Sequence, residues 1–429
     1  MNVCVFGLWH LGCVTAACLS EHFTTIGTDP DPGTLDRLQA GEPPIFEPGL
    51  SDLIRAGIRS GRLSFTCDLG EAARRSNIVW VSFDTPVNNE DEADCEYVEE
   101  QVAHLFPHLL PGTMVLISSQ LPVGSTFRIE SSYRENYPDG DVRFAYSPEN
   151  LRLGKALDVF RKPDRIVVGI RRPEDRECLI PLLTPFCGNL VWMSIESAEM
   201  TKHAINAFLA DSVAFANEIA ALCEEVGADA KEVERGLKTD ERIGPRAYLR
   251  AGGAFAGGTL ARDVSFLTLR ARQAGLPVPL LQSIRESNDL HKNWPRRKLG
   301  SLLERLSGSV VAVLGLTYKP GTDTLRRSSA IELCRWLAER QVAVRAFDPA
   351  VRKLPEALTG VITLCDSALE TLIDADAVVL ATECPEFREL SARDLIEKMK
   401  NPVVLDANRF LEKTLGATPG VHYVTVGKP

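Results

Sequence analysis

At 429 residues, with 45% hydrophobic and 25% charged side chains, the chain has the make-up of a soluble globular protein and the length for two or three domains, each with its own core. A formal net charge of -10 argues against nonspecific nucleic-acid binding, which needs a basic surface, but leaves room for an anionic small substrate held by a few local Arg and Lys residues. The eleven cysteines show no Cys-x-x-Cys pair and the seven histidines are unclustered, so neither a disulfide framework nor a metal site is expected, and the thiols point to a reducing cytoplasm.

Residues 1–19 are apolar but lack a basic leading segment and contain Gly7, His10 and Gly12, so a buried strand followed by a helix explains them better than a signal peptide. Val3–Phe6, a Gly-rich turn, a helical stretch to Ser20 and then Thr24–Asp29 give the strand, turn, helix, strand order that starts a doubly wound sheet. Apolar runs at 78–82, 114–118, 143–146 and 165–169 continue it, and the first domain is expected to span 1–190. No Pro or Gly interrupts Glu196–Val226, whose apolar residues fall at helical spacing on more than one face; such a helix is either a domain core or a dimer seam. Leu260–Gly275 and Leu280–Leu290 read as further helices of a small middle domain, 191–295. A second strand and turn at Val310–Gly315, with runs at 342–347, 377–381 and 403–405, predicts a smaller parallel sheet in a third domain, 296–429. The expected fold is thus α/β: two Rossmann-like parallel-sheet domains joined by a long helix and a helical middle.

Gly7-Leu8-Trp9-His10-Leu11-Gly12 follows a strand and opens a helix, and Asp29 lies seventeen residues after Gly12. In that setting backbone N–H groups and a helix N-terminus face a pyrophosphate, and the acidic residue takes the ribose hydroxyls, favouring NAD over NADP. Trp9 stands where the fingerprint has its second glycine, so a plain α/β turn remains the alternative. Lys202 and Asn206, four apart, share a helical face where an ammonium and a carboxamide can stabilise an oxyanion; the alternative is a solvated lysine. Asp263 precedes a helical stretch and is either a helix cap or a holder of a water or of the Lys202 ammonium.

In order along nearly the whole chain, several motifs resemble those of the nucleotide-sugar dehydrogenases, the UDP-glucose and GDP-mannose dehydrogenase family. They are Pro44–Leu50, Thr85-Pro86, Ser119–Gly124, Tyr146–Leu151, Thr201–Phe208, Arg242–Gly244, Tyr248–Arg250, Ala251–Asp263, Tyr318–Arg326, Thr382–Phe387 and Asp406–Arg409. The resemblance implies that Thr85 and Pro86 lie near the nicotinamide ribose, that Glu149 relays protons, and that Lys202 and Asn206 polarise the reacting oxygen. It implies substrate contacts from Asn150, Leu151, Tyr248, Leu249, Phe255, Gly257, Lys319 and Arg409, a dinucleotide contact from Arg326, and Arg242 reaching into the partner subunit's site.

The same resemblance exposes four departures. Thr259 stands where the family has its nucleophilic cysteine, Gln120 replaces a threonine that helps hold an active-site water, Leu153 replaces a second acid, and Arg262 replaces a lysine. A thiol adds to an aldehyde and leaves as a thioester that water hydrolyses, whereas a threonine hydroxyl has no comparable reactivity near neutral pH. The expectation is an NAD-dependent oxidoreductase, homodimeric or larger, acting on a nucleotide-linked sugar, UDP-linked in the first instance, at C6. It would stop after two electrons at an aldehyde or oxidise transiently. The alternatives are a complete four-electron enzyme making a uronic acid, with Glu149 or Asp263 as base for water, and a sugar-nucleotide-binding homologue without activity. No metal, nucleic acid or membrane partner is expected.

Overall fold

A computed structural model of the chain describes residues 1–86, 93–149, 151–256, 258–326 and 328–429. The chain divides into two compact units, Met1–Ile205 and Asn206–Pro429.

Among the described residues of the first unit, eight strands form one sheet: β1 (Asn2–Phe6), β2 (Thr24–Thr28), β3 (Leu63–Thr66), β4 (Ile78–Val81), β5 (Met114–Ile117), β6 (Arg143–Tyr146), β7 (Ile166–Ile170) and β8 (Leu190–Ser194). Their order is β3-β2-β1-β4-β5-β6-β7-β8. The central strands read as continuous apolar runs because helices cover both faces; every residue of β4 and β5 is buried. Pairing is parallel throughout except between β6 and β7, which run antiparallel. The chain leaves β1 for β2 on one side and returns to β4 on the other, so the order reverses between β1 and β4 and opens a crevice beyond their carboxyl ends. The helix His10–Leu19 is buried from Leu11 to Leu19, which explains why its sequence carries no polar stripe.

The second unit repeats the plan with six strands among the described residues: β9 (Val310–Leu314), β10 (Ala343–Phe347), β11 (Thr363–Leu364), β12 (Ala377–Leu380), β13 (Val403–Asp406) and β14 (His422–Val424). All pairings are parallel, in the order β11-β10-β9-β12-β13-β14, and the switch falls between β9 and β12. The helices Thr259–Gln273 and Pro279–His291 belong to this unit and pack on a small apolar cluster of Ala207, Ala210, Val264 and Ile284.

The long helix runs unbroken over Ile195–Val226, and the boundary between the compact units falls inside it. It is long and apolar enough to cross a membrane by length and composition alone, yet half of its most apolar stretch is buried in the protein, as in a core helix. The short outer strands β3, β8, β11 and β14 were not expected from the sequence, because they are half-exposed and lack a continuous apolar run. The expected break near residue 190 coincides with the start of β8, while the compact unit continues to Ile205.

Candidate active site

The first unit's crevice is built by the turn after β1. Gly7 has φ +94°, and a Cβ there would stand 2.9 Å from the backbone N of Phe83. A Cβ on Gly12 would stand 1.8 Å from the Gly7 carbonyl oxygen, so only glycine lets the helix start this close to the strand. The Ser82 hydroxyl donates to that same carbonyl at 2.9 Å. At the end of β2 the Asp29 carboxylate accepts from Leu8 N at 2.6 Å and from Asp31 N at 2.9 Å, which aims it at the turn. Trp9 occupies the helix N-cap with φ −83°, a conformation open to any residue, and its side chain is 46% exposed. The backbone therefore does not require glycine at Trp9. His10 begins the helix and donates from Nε2 to Glu47 at 3.1 Å, since a carboxylate can only accept. Leu11 is buried. Thr85 donates from its hydroxyl to the Gln120 carbonyl at 2.6 Å, and Pro86 beside it is exposed. A cradle that a Cβ would fill, followed by a helix N-terminus and a ribose-side carboxylate, fits a dinucleotide.

Near the carboxyl end of β6, Lys202 is 5% exposed and donates from Nζ to the Glu149 carbonyl at 2.5 Å, with Glu149 Oε1 at 3.6 Å. Glu149 folds its other oxygen back onto Leu151 N at 2.7 Å. The solvated-lysine reading of Lys202 is thereby excluded. Asn150 lies outside the described residues, and Leu153 is 39% exposed.

In the second unit, Asn206 donates from Nδ2 to the Asp263 carboxylate, and both side chains are buried. Asp263 sits inside the helix Thr259–Gln273, one turn past its start, so it does not cap that helix; Gly258 holds the N-cap position. Thr259 is the first helical residue and is exposed. Gly257 lies outside the described residues. The loop before it is pinned at four points the sequence did not reveal. Asn288 holds Phe255 through both its N–H and its carbonyl at 2.9 Å each, Asn217 accepts from Gly252 N at 2.9 Å, His291 donates to Gly252 O at 2.7 Å, and Asn408 accepts from Gly253 N at 2.7 Å. Burial holds the His291 imidazole below its ordinary pKa, which keeps it neutral in that bond. Asn217, Asn288 and His291 stand at ordinary helical positions and Asn408 in the turn after β13, and none carries a sequence signal for this task.

The switch between β9 and β12 holds a cavity of about 260 Å³ whose lining includes Gly253, Ala256, Lys319, Glu383 and Asn408. Burial raises the Glu383 carboxyl above its usual range. Lys319 lies 5.4 Å from the Tyr318 ring. Of the other residues singled out, Tyr248 is 57% exposed, Leu249 is half-buried, Arg326 is exposed, and Arg242 is exposed and bonded to Asp240. Arg409 is engaged elsewhere: its guanidinium, largely buried, pairs with Asp229 at 2.7 Å and Glu412 at 3.2 Å, lining a different pocket with Lys231 and Arg250. That ion-pair network argues for a structural task instead of the expected substrate contact.

None of the eleven thiols is bonded to another. Desolvation pushes Cys334 and Cys384, both in the second unit, up to about 12, so no thiolate forms there near neutral pH. Among the described residues no cluster of His, Cys, Asp and Glu could hold a metal ion.

Two nucleotide-type crevices and a helix bearing a buried lysine define an oxidoreductase that uses a dinucleotide. Residues 1–187 match the UDP-glucose/GDP-mannose dehydrogenase family, NAD binding domain, residues 196–290 its central domain and residues 312–413 its UDP binding domain. The chain is 35% identical to the UDP-glucose 6-dehydrogenase of Rhizobium meliloti (strain 1021), covering 100% of both, and 34% identical to that of Pseudomonas aeruginosa, covering 100% of this chain and 98% of the other. It superposes on a UDP-glucose dehydrogenase from the archaeon Pyrobaculum islandicum with a TM-score of 0.86 at 28% identity, over 100% of this chain and 98% of the other. It shares its fold with the UDP-D-ManNAc dehydrogenase of Pyrococcus horikoshii, with a TM-score of 0.85 at 24% identity, over 100% and 99% of the two chains. The chain belongs to the UDP-glucose/GDP-mannose dehydrogenase family, and its cofactor is NAD.

Because Asp29 faces the turn and would repel a 2′-phosphate, calorimetric titration should show NAD bound at least tenfold more tightly than NADP, a preference that Asp29→Ser should abolish. Equal affinities in the unaltered protein would remove Asp29 from the ribose.

Proposed function

We propose that this enzyme oxidises the C6 alcohol of a UDP-linked sugar by two electrons and releases or re-reduces the aldehyde. The observation that carries the reading is Thr259, which the loop's resemblance to the family implies stands at the position of its cysteine, combined with the buried Cys334 and Cys384 thiols of its unit, which desolvation keeps protonated. When bound, NAD supplies the hydride acceptor and leaves as NADH, while the alcohol loses one hydride and one proton. The chain's own part is to position and polarise. Lys202, buried and held by the Glu149 carbonyl, lends its charge to the oxygen as its proton departs, and Asn206, fixed by Asp263, donates from its amide. Glu149, the acid beside that ammonium, takes the proton. The loop 251–256, clamped on its backbone, and Lys319 hold the sugar nucleotide, with Leu151, Tyr248 and Leu249 contributing contacts and Arg326 reaching the dinucleotide.

A second reading is the complete four-electron reaction, in which Glu149 or Asp263 would activate a water on the aldehyde. It is favoured by the names of the relatives, UDP-glucose 6-dehydrogenases at 31–35% identity over the full chain. We further infer a homodimer: Phe208, Phe215 and Leu222, seven residues apart along the long helix, are 67%, 47% and 61% exposed, an apolar stripe that a second copy would cover. Sedimentation as a monomer at micromolar concentration would overturn it. The three-domain division 1–190, 191–295 and 296–429 and a cytoplasmic setting, supported by eleven free thiols, complete the reading.

Turnover of UDP-glucose should yield about one NADH per sugar, against about two for the uronate-forming reaction, and Thr259→Cys should raise the ratio or trap an acyl-enzyme. Two NADH per sugar from the unaltered protein, with uronic acid as product, would establish the second reading. Lys202→Ala should lower kcat roughly a hundredfold or more with the melting temperature little changed. An unchanged rate would end its role as the polarising cation.

A further inference from the structure

Glu47 lies in the loop before the helix Leu50–Arg59, is 3% exposed, and has no place in the chemistry above. A carboxylate this deeply buried must be compensated, and here it is compensated from two directions. One side is the dinucleotide turn: His10, first residue of the helix that follows Gly7-Leu8-Trp9, donates from Nε2 to Oε2 at 3.1 Å. The other is the chain leading away from Glu149: Gly154 N donates to Oε2 and Ala156 N to Oε1, each at 2.8 Å. The near end of that same segment is fixed by Leu151 N on Glu149 Oε2, and the Glu149 carbonyl receives the Lys202 ammonium. Within the first unit, hydrogen bonds therefore lead from the pyrophosphate turn through His10 and Glu47 to Gly154 and Ala156, the backbone carries on to Leu151, and hydrogen bonds lead from Leu151 to Glu149 and Lys202.

We propose that Glu47 is a positioning residue that couples the two ligand sites: NAD at the turn fixes His10, His10 orients the Glu47 carboxylate, and the carboxylate orders residues 151–156 for the sugar nucleotide. The coupling is one of shared ordering, since whichever ligand binds first fixes groups that the second would otherwise have to immobilise. Linkage requires that it act in both directions with the same factor. It rests on the proposed function, in which the sugar nucleotide contacts Leu151 and Glu149.

The test is calorimetric, with the whole protein and UDP-glucose as the probe, titrated with and without saturating NADH as the non-reacting form of the cofactor. In the unaltered protein NADH should tighten UDP-glucose binding roughly fivefold or more. In His10→Phe, which leaves the Glu47 bonds to Gly154 and Ala156 in place, the factor should fall towards one although both ligands still bind. In Glu47→Gln, whose amide cannot accept from all three donors, it should fall likewise, with weaker UDP-glucose binding as well. A factor of one in the unaltered protein, or an undiminished factor in His10→Phe, would overturn the coupling. Failure of UDP-glucose to bind at all would instead overturn the substrate assignment, so the two failures are distinguishable. A general loss of structure would lower the melting temperature and both affinities without singling out their ratio.

Discussion

The approach of the Gly12 backbone to the Gly7 carbonyl is the constraint on which the cofactor half of the protein rests. With no room for even one carbon between them, the first turn of the helix sits directly on the end of β1, and its free N–H groups face the crevice. The Ser82 hydroxyl ties the same carbonyl to the end of β4, so both walls of the crevice are held by one oxygen. Trp9 is compatible with this geometry because it projects outward from an extended N-cap.

The second unit repeats the turn with one change that separates a dinucleotide site from its copy. Gly315 has φ +88° and a Cβ there would stand 2.7 Å from Thr382 N, as Gly7 relates to Phe83. Its acidic partner Asp348, however, is 1% exposed and accepts from Leu316 N, Thr317 N, the Thr317 hydroxyl and Ala350 N. Asp29 accepts two backbone N–H groups and remains partly open to solvent. A carboxylate surrounded by four donors has little left for a ribose hydroxyl, whereas one with two has capacity to spare. The same fold thus serves two ligand chemistries, and the difference resides in how each acid is satisfied.

Much of this was legible in the sequence, for physical reasons. Fully buried strands such as β4 and β9 announce themselves as apolar runs, and the Gly7–Gly12 turn does so because its glycines are sterically obligatory. Lys202 and Asn206 were singled out by the motif resemblance, with their helical spacing in support. What stayed hidden was the supporting layer: Asn217, Asn288, His291 and Asn408 hold a loop by its backbone, and a backbone partner leaves no pattern in the sequence that receives it. Arg409 shows what a motif match leaves out: it says where a residue falls in the chain but not that Asp229 and Glu412 pair with its charge. The antiparallel β6–β7 pair was invisible because strand direction is a property of the connection, not of the apolar run.

The long helix accounts for why so many polar side chains are buried on an element chosen for apolar length. Ile195–Val226 rises about 48 Å at the usual pitch, enough to touch several loops in succession. Glu199 accepts from Gly124 N and Thr126 N at the start of the helix Ser125–Asn136, and His203 donates to Leu121 O, so the loop carrying Gln120 is fixed from this side. Farther along, Asn217 takes the Gly252 amide and Glu224 takes Trp294 Nε1 and Gly427 N. The Glu199 carboxylate, the His203 ring and the Asn217 amide oxygen each meet a loop or helix-end group that would otherwise lack a partner, so their burial costs little as long as those partners stay put. A helix with no Pro or Gly suits this: within each unit, a kink would move the helix side chains away from the partners they hold there.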